Sequence, residues 1–354
     1  MTPFGSFLQS RWSYMKHVVL TEPLIGAEIK PVGEFLRFKA RSEVDAEQYF
    51  PKRNRMEVPC PACGSEVAEP AFLRGTFRYR TCNECASLFV SPRPTQAALD
   101  HYYANSEAAR LRGAYFTDTR TARDFHVVQS RADWIGQYAA QLDRGTLAFL
   151  DFGTVYPAIL GEMRRMGAFS DMYALEVPPS VVAAVDAEDV ILDEPPAKSL
   201  HVITAFEQLE HHFSPERVLQ RLQRLAMPGA MLFITTRTCS GFDMLVLGDQ
   251  NPYLFVPEHL NLLSIEGLKR LFERLGFELV ELSTPGQLDV QLVSQAVKTS
   301  PAVDVGSFVR YVLNHRDEQT RAELQAFLQR NRLSSHVRIT VRVPDSKPKP
   351  STVG

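Results

Sequence analysis

The sequence predicts an α/β protein: a doubly wound, mostly parallel sheet of seven strands behind a small cysteine-bearing module. Three observations predict it. Leu147 to Glu176, LAFLDFGTVYPAILGEMRRMGAFSDMYALE, reads as strand, turn, helix and strand, with apolar runs closing on Asp151 and on Glu176. Beyond it, apolar runs and amphipathic segments keep alternating to residue 282, as parallel strands joined by helices require. Finally, the alternation VRITVRV within His336 to Val343 suits a closing antiparallel strand.

Composition sets the bounds. The chain has 354 residues, 45% hydrophobic and 23% charged, enough for two or three domains with ordinary cores. Lys plus Arg number 39 against 41 Asp plus Glu, a net charge of -2, so no field steers the protein toward nucleic acid. No apolar run reaches the roughly 18 residues that span a bilayer, and the first thirty residues lack a signal-peptide pattern. The expected compartment is the cytoplasm, with no membrane partner.

Residues 1–56 form an N-terminal extension without sustained period, expected either to give short helices against the zinc-binding region or to be partly disordered. Residues 57–92 carry the most specific local signal. Cys60 and Cys63 form one CxxC pair, Cys82 and Cys85 a second, and eighteen residues separate them. Each pair makes a tight knuckle that turns two sulfurs to one point, and two knuckles complete a tetrahedron around zinc. A redox pair would need only one CxxC followed by a helix. With four thiolates the zinc ribbon is closed, so its Zn2+ is structural. Cys239, the fifth cysteine, stands alone and reads as a partly buried residue without a nucleophile's setting.

Residues 93–145 are a helical lead-in. Pro94 and Thr95 start one helix, and Phe125, Val128, Ala132 and Ile135 mark a second between residues 119 and 142. In the sheet domain, residues 146–343, Pro178 to Ala187 reads as a helix and Asp189 to Leu192 as a third strand ending at Asp193. Ser199 to Thr204 is the fourth strand, Pro215 to Leu225 an amphipathic helix, and Ala230 to Thr235 a fully buried fifth strand after the Pro228-Gly229 turn. Ser264 caps a helix reaching Leu275, and Phe277 to Leu282 is the sixth strand. Residues 285–334 read as a three-helix insertion, and residues 344–354 as a disordered polar tail.

The order of LAFLDFG, MYALE, VITAFEQLEHHFSPERVLQRLQRLAMPGAMLFITT and GFELVEL resembles the class I S-adenosylmethionine-dependent methyltransferases, over about Leu147 to Val343. The four-cysteine front end resembles a subgroup of them. That resemblance implies a Rossmann-like sheet and S-adenosylmethionine as cofactor. Asp151 and Gly153 would lie beside its methionyl part, Glu176 would take the ribose hydroxyls, Asp193 would sit near the adenine, and Ala205, Phe206 and Glu207 would line the cleft. The family turn D-x-G-x-G-x-G departs here to Asp151-Phe152-Gly153-Thr154-Val155-Tyr156-Pro157, where Val155 adds a side chain and Pro157 removes an amide. His201 stands where an acid often opens the fourth strand.

The long connection from Cys239 to Leu263 is placed to read a substrate, and its His259 is the candidate general base, set against a histidine that merely bonds loop backbone. Glu210, His211 and His212 point in different directions from one turn and read as cleft-edge residues that fix the loop, without a third metal ligand. Two functions follow. One is methyl transfer to a small-molecule acceptor, a sugar or a biosynthetic intermediate, favoured by the retained Asp151, Gly153 and Glu176. The other is a catalytically inactive relative acting as a protein partner or scaffold, favoured by the altered turn.

Overall fold

The computed structural model describes residues 31–142, 147–154, 156–182, 185 and 190–345. Residues 1–30, most of the expected helix end at residues 183–189, Val155 and the tail from residue 346 lie outside them.

In chain order the front half contains α1 (Val32–Tyr49), β1 (Arg55–Met56), β2 (Ala68–Arg74), β3 (Phe77–Cys82), β4 (Leu88–Val90), β5 (Arg93–Pro94), α2 (Gln96–Asn105), α3 (Glu107–Asp118), α4 (Arg120–Arg123), a π-helical turn (Asp124–Val128) and α5 (Gln129–Ala139). The back half contains β6 (Leu147–Phe152), α6 (Ala158–Met166), β7 (Phe169–Leu175), α7 (Pro179–Val182), β8 (Leu200–Phe206), α8 (Pro215–Leu225), β9 (Ala226–Arg237), α9 (Phe242–Leu247), β10 (Asn261–Leu262), α10 (Ile265–Arg274), β11 (Glu278–Ser283), α11 (Asp289–Thr299), α12 (Gly306–His315), α13 (Glu318–Arg330) and β12 (His336–Arg342).

The main sheet has the order β11-β12-β9-β8-β6-β7, with β7, β6, β8 and β9 parallel and β12 antiparallel to both neighbours. Among the described residues six strands stand where seven were expected. The third strand is reduced to a single parallel bridge, Tyr173 with Ile191, because proline-rich Asp193-Glu194-Pro195-Pro196 turns the chain away at once. Helices cover both faces, and the apolar stripe of α8, Val218, Leu219, Leu222 and Leu225, is buried against the sheet. Ser214 caps α8 through the Arg217 amide with Pro215 in its first turn, and Ser264 caps α10 through the Gly267 amide.

Two expectations for the lead-in change. The helix expected between residues 119 and 142 is broken into α4, the π-helical turn and α5. The unreadable stretch before residue 56 contains an eighteen-residue helix, α1, whose Phe35 and Phe38 pack on Tyr115 and Phe255 from other elements. Its partner is far away in sequence, so no local period announced it.

The cysteine ribbon is continuous with the rest. Strand β4 pairs with β3 on one side and with β10 on the other, giving a four-stranded sheet β10-β4-β3-β2. Arg93, 1% exposed, donates to the carbonyls of Val90 and Phe213 and to the Asn261 side chain, so a fully buried guanidinium holds the ribbon to the loop before β10. No helix among the described residues is long and apolar enough to cross a membrane.

Candidate functional site

The four cysteine sulfurs lie within 4.8 Å of one another, with Cys60 and Cys85 at 3.6 Å and Cys63 and Cys82 at 3.5 Å. A tetrahedron with metal–sulfur bonds of about 2.3 Å has edges of about 3.8 Å, so the donor set and its spacing fit zinc. The knuckles are built alike: the Gly64 amide returns to the Cys60 carbonyl and the Ala86 amide to that of Cys82, with Gly64 at φ +80° and Ala86 at φ +57°. Among the described residues this is the only group of His, Cys, Asp or Glu side chains close enough to hold a metal. Cys239 donates to the Ala86 carbonyl, and burial pushes its thiol up to about 12, which leaves it a poor nucleophile.

The sheet places the other predicted residues on neighbouring strand ends. Register pairs Asp151 with Ala174 on β7 and with Thr204 on β8, so Asp151, Gly153, Glu176 and Glu207 stand side by side at the carboxyl edge, where open α/β sheets hold ligands. Three of these chain ends reverse through left-handed backbone, Gly153 at φ +75°, Glu176 at +54° and Glu207 at +56°. Two of the three are not glycine, a strain of about 1–3 kcal/mol each that gathers where function is expected.

Asp151 is buried and accepts the Thr204 hydroxyl at 2.6 Å; burial raises its carboxyl to about 6, against that hydrogen bond. Glu176 is half exposed and pairs at 2.6 Å with Arg221 of α8, which also holds Glu194 at 2.7 Å. Asp193 lies just beyond the Ile191 bridge to β7 and is exposed. His201, in the place of an acid, accepts the Ala148 amide through Nδ1, tying β8 to the start of β6.

The turn after β6 is filled from above. A Cβ added to Gly153 would lie 2.1 Å from the amide carbon of Gln208, whose Nε2 donates to the carbonyls of Gly153 and Phe206. Tyr156 is buried and receives Arg131 against its ring at 4.7 Å, and the Phe206 ring lies 4.5 Å from the same guanidinium. The crevice thus presents the Gly153 and Phe206 carbonyls, buried Asp151 and half-exposed Glu176, with the Gln208 carboxamide seated on the two carbonyls.

Beyond this crevice a cavity of about 280 Å³ opens at the ends of β8 and β9 and the start of β12. Its apolar wall comes from Phe35, Phe38, Tyr115, Trp134, Tyr253 and Phe255, and its polar wall includes Arg131, Glu207, Glu210, His211, Glu258 and His259. Glu207 and His259 were singled out in the sequence. The aromatic wall from α1 and α3 was not, since neither helix has a signal pointing to the sheet edge. The π-helical turn contributes His126 and Val127 to the same cavity, as such turns often do at sites.

The polar wall is internally balanced. Arg131 donates to Glu207 at 2.7 Å, Thr235 donates to it at 2.8 Å and His336 approaches to 3.6 Å; although burial opposes ionisation, these neighbours hold Glu207 down to about 2. Burial and the Glu207 charge push the Glu210 carboxyl the other way, well above its ordinary range, and it accepts the Thr236 hydroxyl at 2.7 Å. Arg112 holds Glu258 at 2.9 Å, and buried His211 is shifted down by desolvation. The Arg131 Nη1 atom is buried without a hydrogen-bond partner and belongs to a cavity-lining side chain. The turn carrying Glu210, His211 and His212 fixes the loop as expected: the Glu210 carbonyl accepts the Leu260 and Asn261 amides, and Asn261 Nδ2 donates to the carbonyls of Leu209 and His212.

The parallel strands, with β12 inserted antiparallel beside β9 and a crevice at the ends of β6 and β8, form an open Rossmann-like sheet. Residues 125–282 match the family model described as a methyltransferase domain. No curated protein matches the sequence. Among solved structures, the complex of the Haloferax volcanii Trm112 methyltransferase activator with a putative methyltransferase is 15% identical, with a TM-score of 0.44, covering 66% of this chain and 97% of that one. The plantazolicin methyltransferase BpumL in complex with SAH is 11% identical, with a TM-score of 0.43, over 70% and 95%. A putative methyltransferase from Bacillus halodurans C-125 is 16% identical, with a TM-score of 0.40, over 61% and 99%.

Proposed function

We propose that the chain transfers a methyl group from S-adenosylmethionine to a small organic acceptor held in the aromatic-walled cavity. One observation carries this: the cavity opens directly beside the carboxyl ends of β6 and β8, sharing Glu207 and Tyr156 with the crevice in which the methyltransferase fold takes its cofactor. When bound, S-adenosylmethionine supplies an electrophilic methyl on a sulfonium. Asp151, Gly153 and Glu176 would hold it, with Asp193 toward the adenine and Ala205, Phe206 and Glu207 along the cleft.

Transfer from a sulfonium needs chiefly in-line positioning, and the rigid wall supplies that. The Arg131 guanidinium, in contact with the Tyr156 and Phe206 rings and fixed by Glu207, sets one edge of the cavity. His259 stands edge-on to Phe255, with ring centroids 5.6 Å apart, and is the side chain we assign as base for an acceptor that loses a proton. The four cysteines would hold a structural zinc ion, and the compartment we assign is the cytoplasm, where paired CxxC motifs serve as metal thiolates.

Isothermal titration of zinc-loaded protein with S-adenosylhomocysteine tests the reading. Micromolar binding supports it, and no heat at millimolar ligand ends it. That second outcome would favour the non-catalytic scaffold, the reading supported by the filled Gly153 turn and by the pairing of Glu176 with Arg221.

A further inference from the structure

The two strand ends that flank the crevice each present a main-chain carbonyl, Gly153 after β6 and Phe206 at the end of β8. One donor takes both: the Gln208 carboxamide nitrogen, at 3.0 and 2.9 Å. Gln208 is 6% exposed, and its amide fills the space above Gly153 so fully that not even a Cβ would fit there. Two carbonyls converging on one nitrogen form a seat for an N–H donor. An amide offers two hydrogens to it and a primary ammonium three, the latter with charge assistance. At the other end of the crevice the acids are not closed off, since Glu176 and Glu194 keep 48% and 50% of their side-chain surface despite Arg221. The nucleoside end is thus accessible while the seat at Gly153 is taken.

We infer that Gln208 occupies the seat of a ligand's ammonium group, and that it sets whether the crevice prefers an adenosyl ligand with an amino-acid end over one without. This rests on the proposal above that the crevice takes an adenosyl ligand. A ligand ammonium can reach the two carbonyls only by displacing the amide, so it exchanges one pair of hydrogen bonds for another and gains little. An adenosyl ligand lacking the amino-acid end leaves Gln208 in place and loses nothing.

Two probes differ in that end alone: S-adenosylhomocysteine carries it and 5′-methylthioadenosine does not. Calorimetric titration of the zinc-loaded wild type should give affinities equal within about threefold. Gln208→Ala should make S-adenosylhomocysteine the tighter ligand by about tenfold, the factor one charge-assisted hydrogen bond supplies. Gln208→Met, which keeps the bulk but leaves both carbonyls without that donor, should also come to favour S-adenosylhomocysteine. A wild type that already prefers S-adenosylhomocysteine tenfold overturns the inference without any variant and leaves methyl transfer standing. So does an Ala variant, folded by zinc content and melting, whose preference is unchanged. Failure of both probes to bind both wild type and Gln208→Ala removes the adenosyl reading itself, and the inference with it.

Discussion

The phenol of Tyr79, on the ribbon strand β3, donates a 2.7 Å hydrogen bond to the main-chain carbonyl of His259 in the cavity wall. Tyr79 is fully buried, and the bond joins residues 180 apart in sequence. Tyr79→Phe would remove that hydrogen bond and cost about 0.5–1.5 kcal/mol. The expected readout is a urea midpoint shifted to match, with faster amide exchange over residues 255–262. Unchanged exchange there would show that the ribbon does not brace the wall.

Metal content gives a second check. The protein should bind one zinc ion per chain, measured by plasma emission after dialysis, and Cys85→Ser should lose it. Because β4 of the ribbon pairs with β10, chelation should also destabilise the segment around Asn261 and lower the melting temperature. Zinc loss without a change in melting would contradict the structural role.

The clamp around Arg131 can be dissected by a double-mutant cycle. Arg131→Met leaves the Glu207 carboxylate with His336 and Thr235 as its remaining partners and should cost about 1–3 kcal/mol. Glu207→Gln alone should cost less than that, and the double variant should recover a large part of the Arg131 loss. Additive losses in urea denaturation would mean that the pair is not coupled.

Asp151 predicts a pH dependence. Its carboxyl titrates at about 6 when folded, above the unfolded value near 3.8, so the folded state binds the extra proton between those limits. Stability contributed by this group therefore falls as pH rises from about 4 to 6, by up to about 3 kcal/mol. Asp151→Asn should raise the melting temperature at pH 7.5, and the gap to wild type should close as pH drops toward 4. A gap that widens on acidification would invert the assignment.

The sheet was legible because its signals are local. The apolar run into Asp151, the Ser214-Pro215 cap of α8 and the alternation of residues 336–342 each fix an element from its own residues. So were the cysteine knuckles, where spacing alone carries the geometry. The third strand was overread, because Val190 and Ile191 satisfy a strand pattern that the two prolines at 195 and 196 cut short. The cavity was only half legible. Glu207 and His259 lie at predicted strand and loop positions, whereas Phe35 and Tyr115 meet Phe255 through tertiary packing alone. Gln208 gave no warning at all, since its role depends on the carbonyls it reaches and not on any motif.

The strand pairing of β4 with β10 has a practical corollary for anyone wishing to transplant or trim the cysteine ribbon. Removing it would bare the β10 edge and the apolar residues Leu260 and Leu262, now fully covered, and such naked edges invite self-association. A shortened protein would emerge as aggregate, and a swapped ribbon would succeed only if it brought a matching strand.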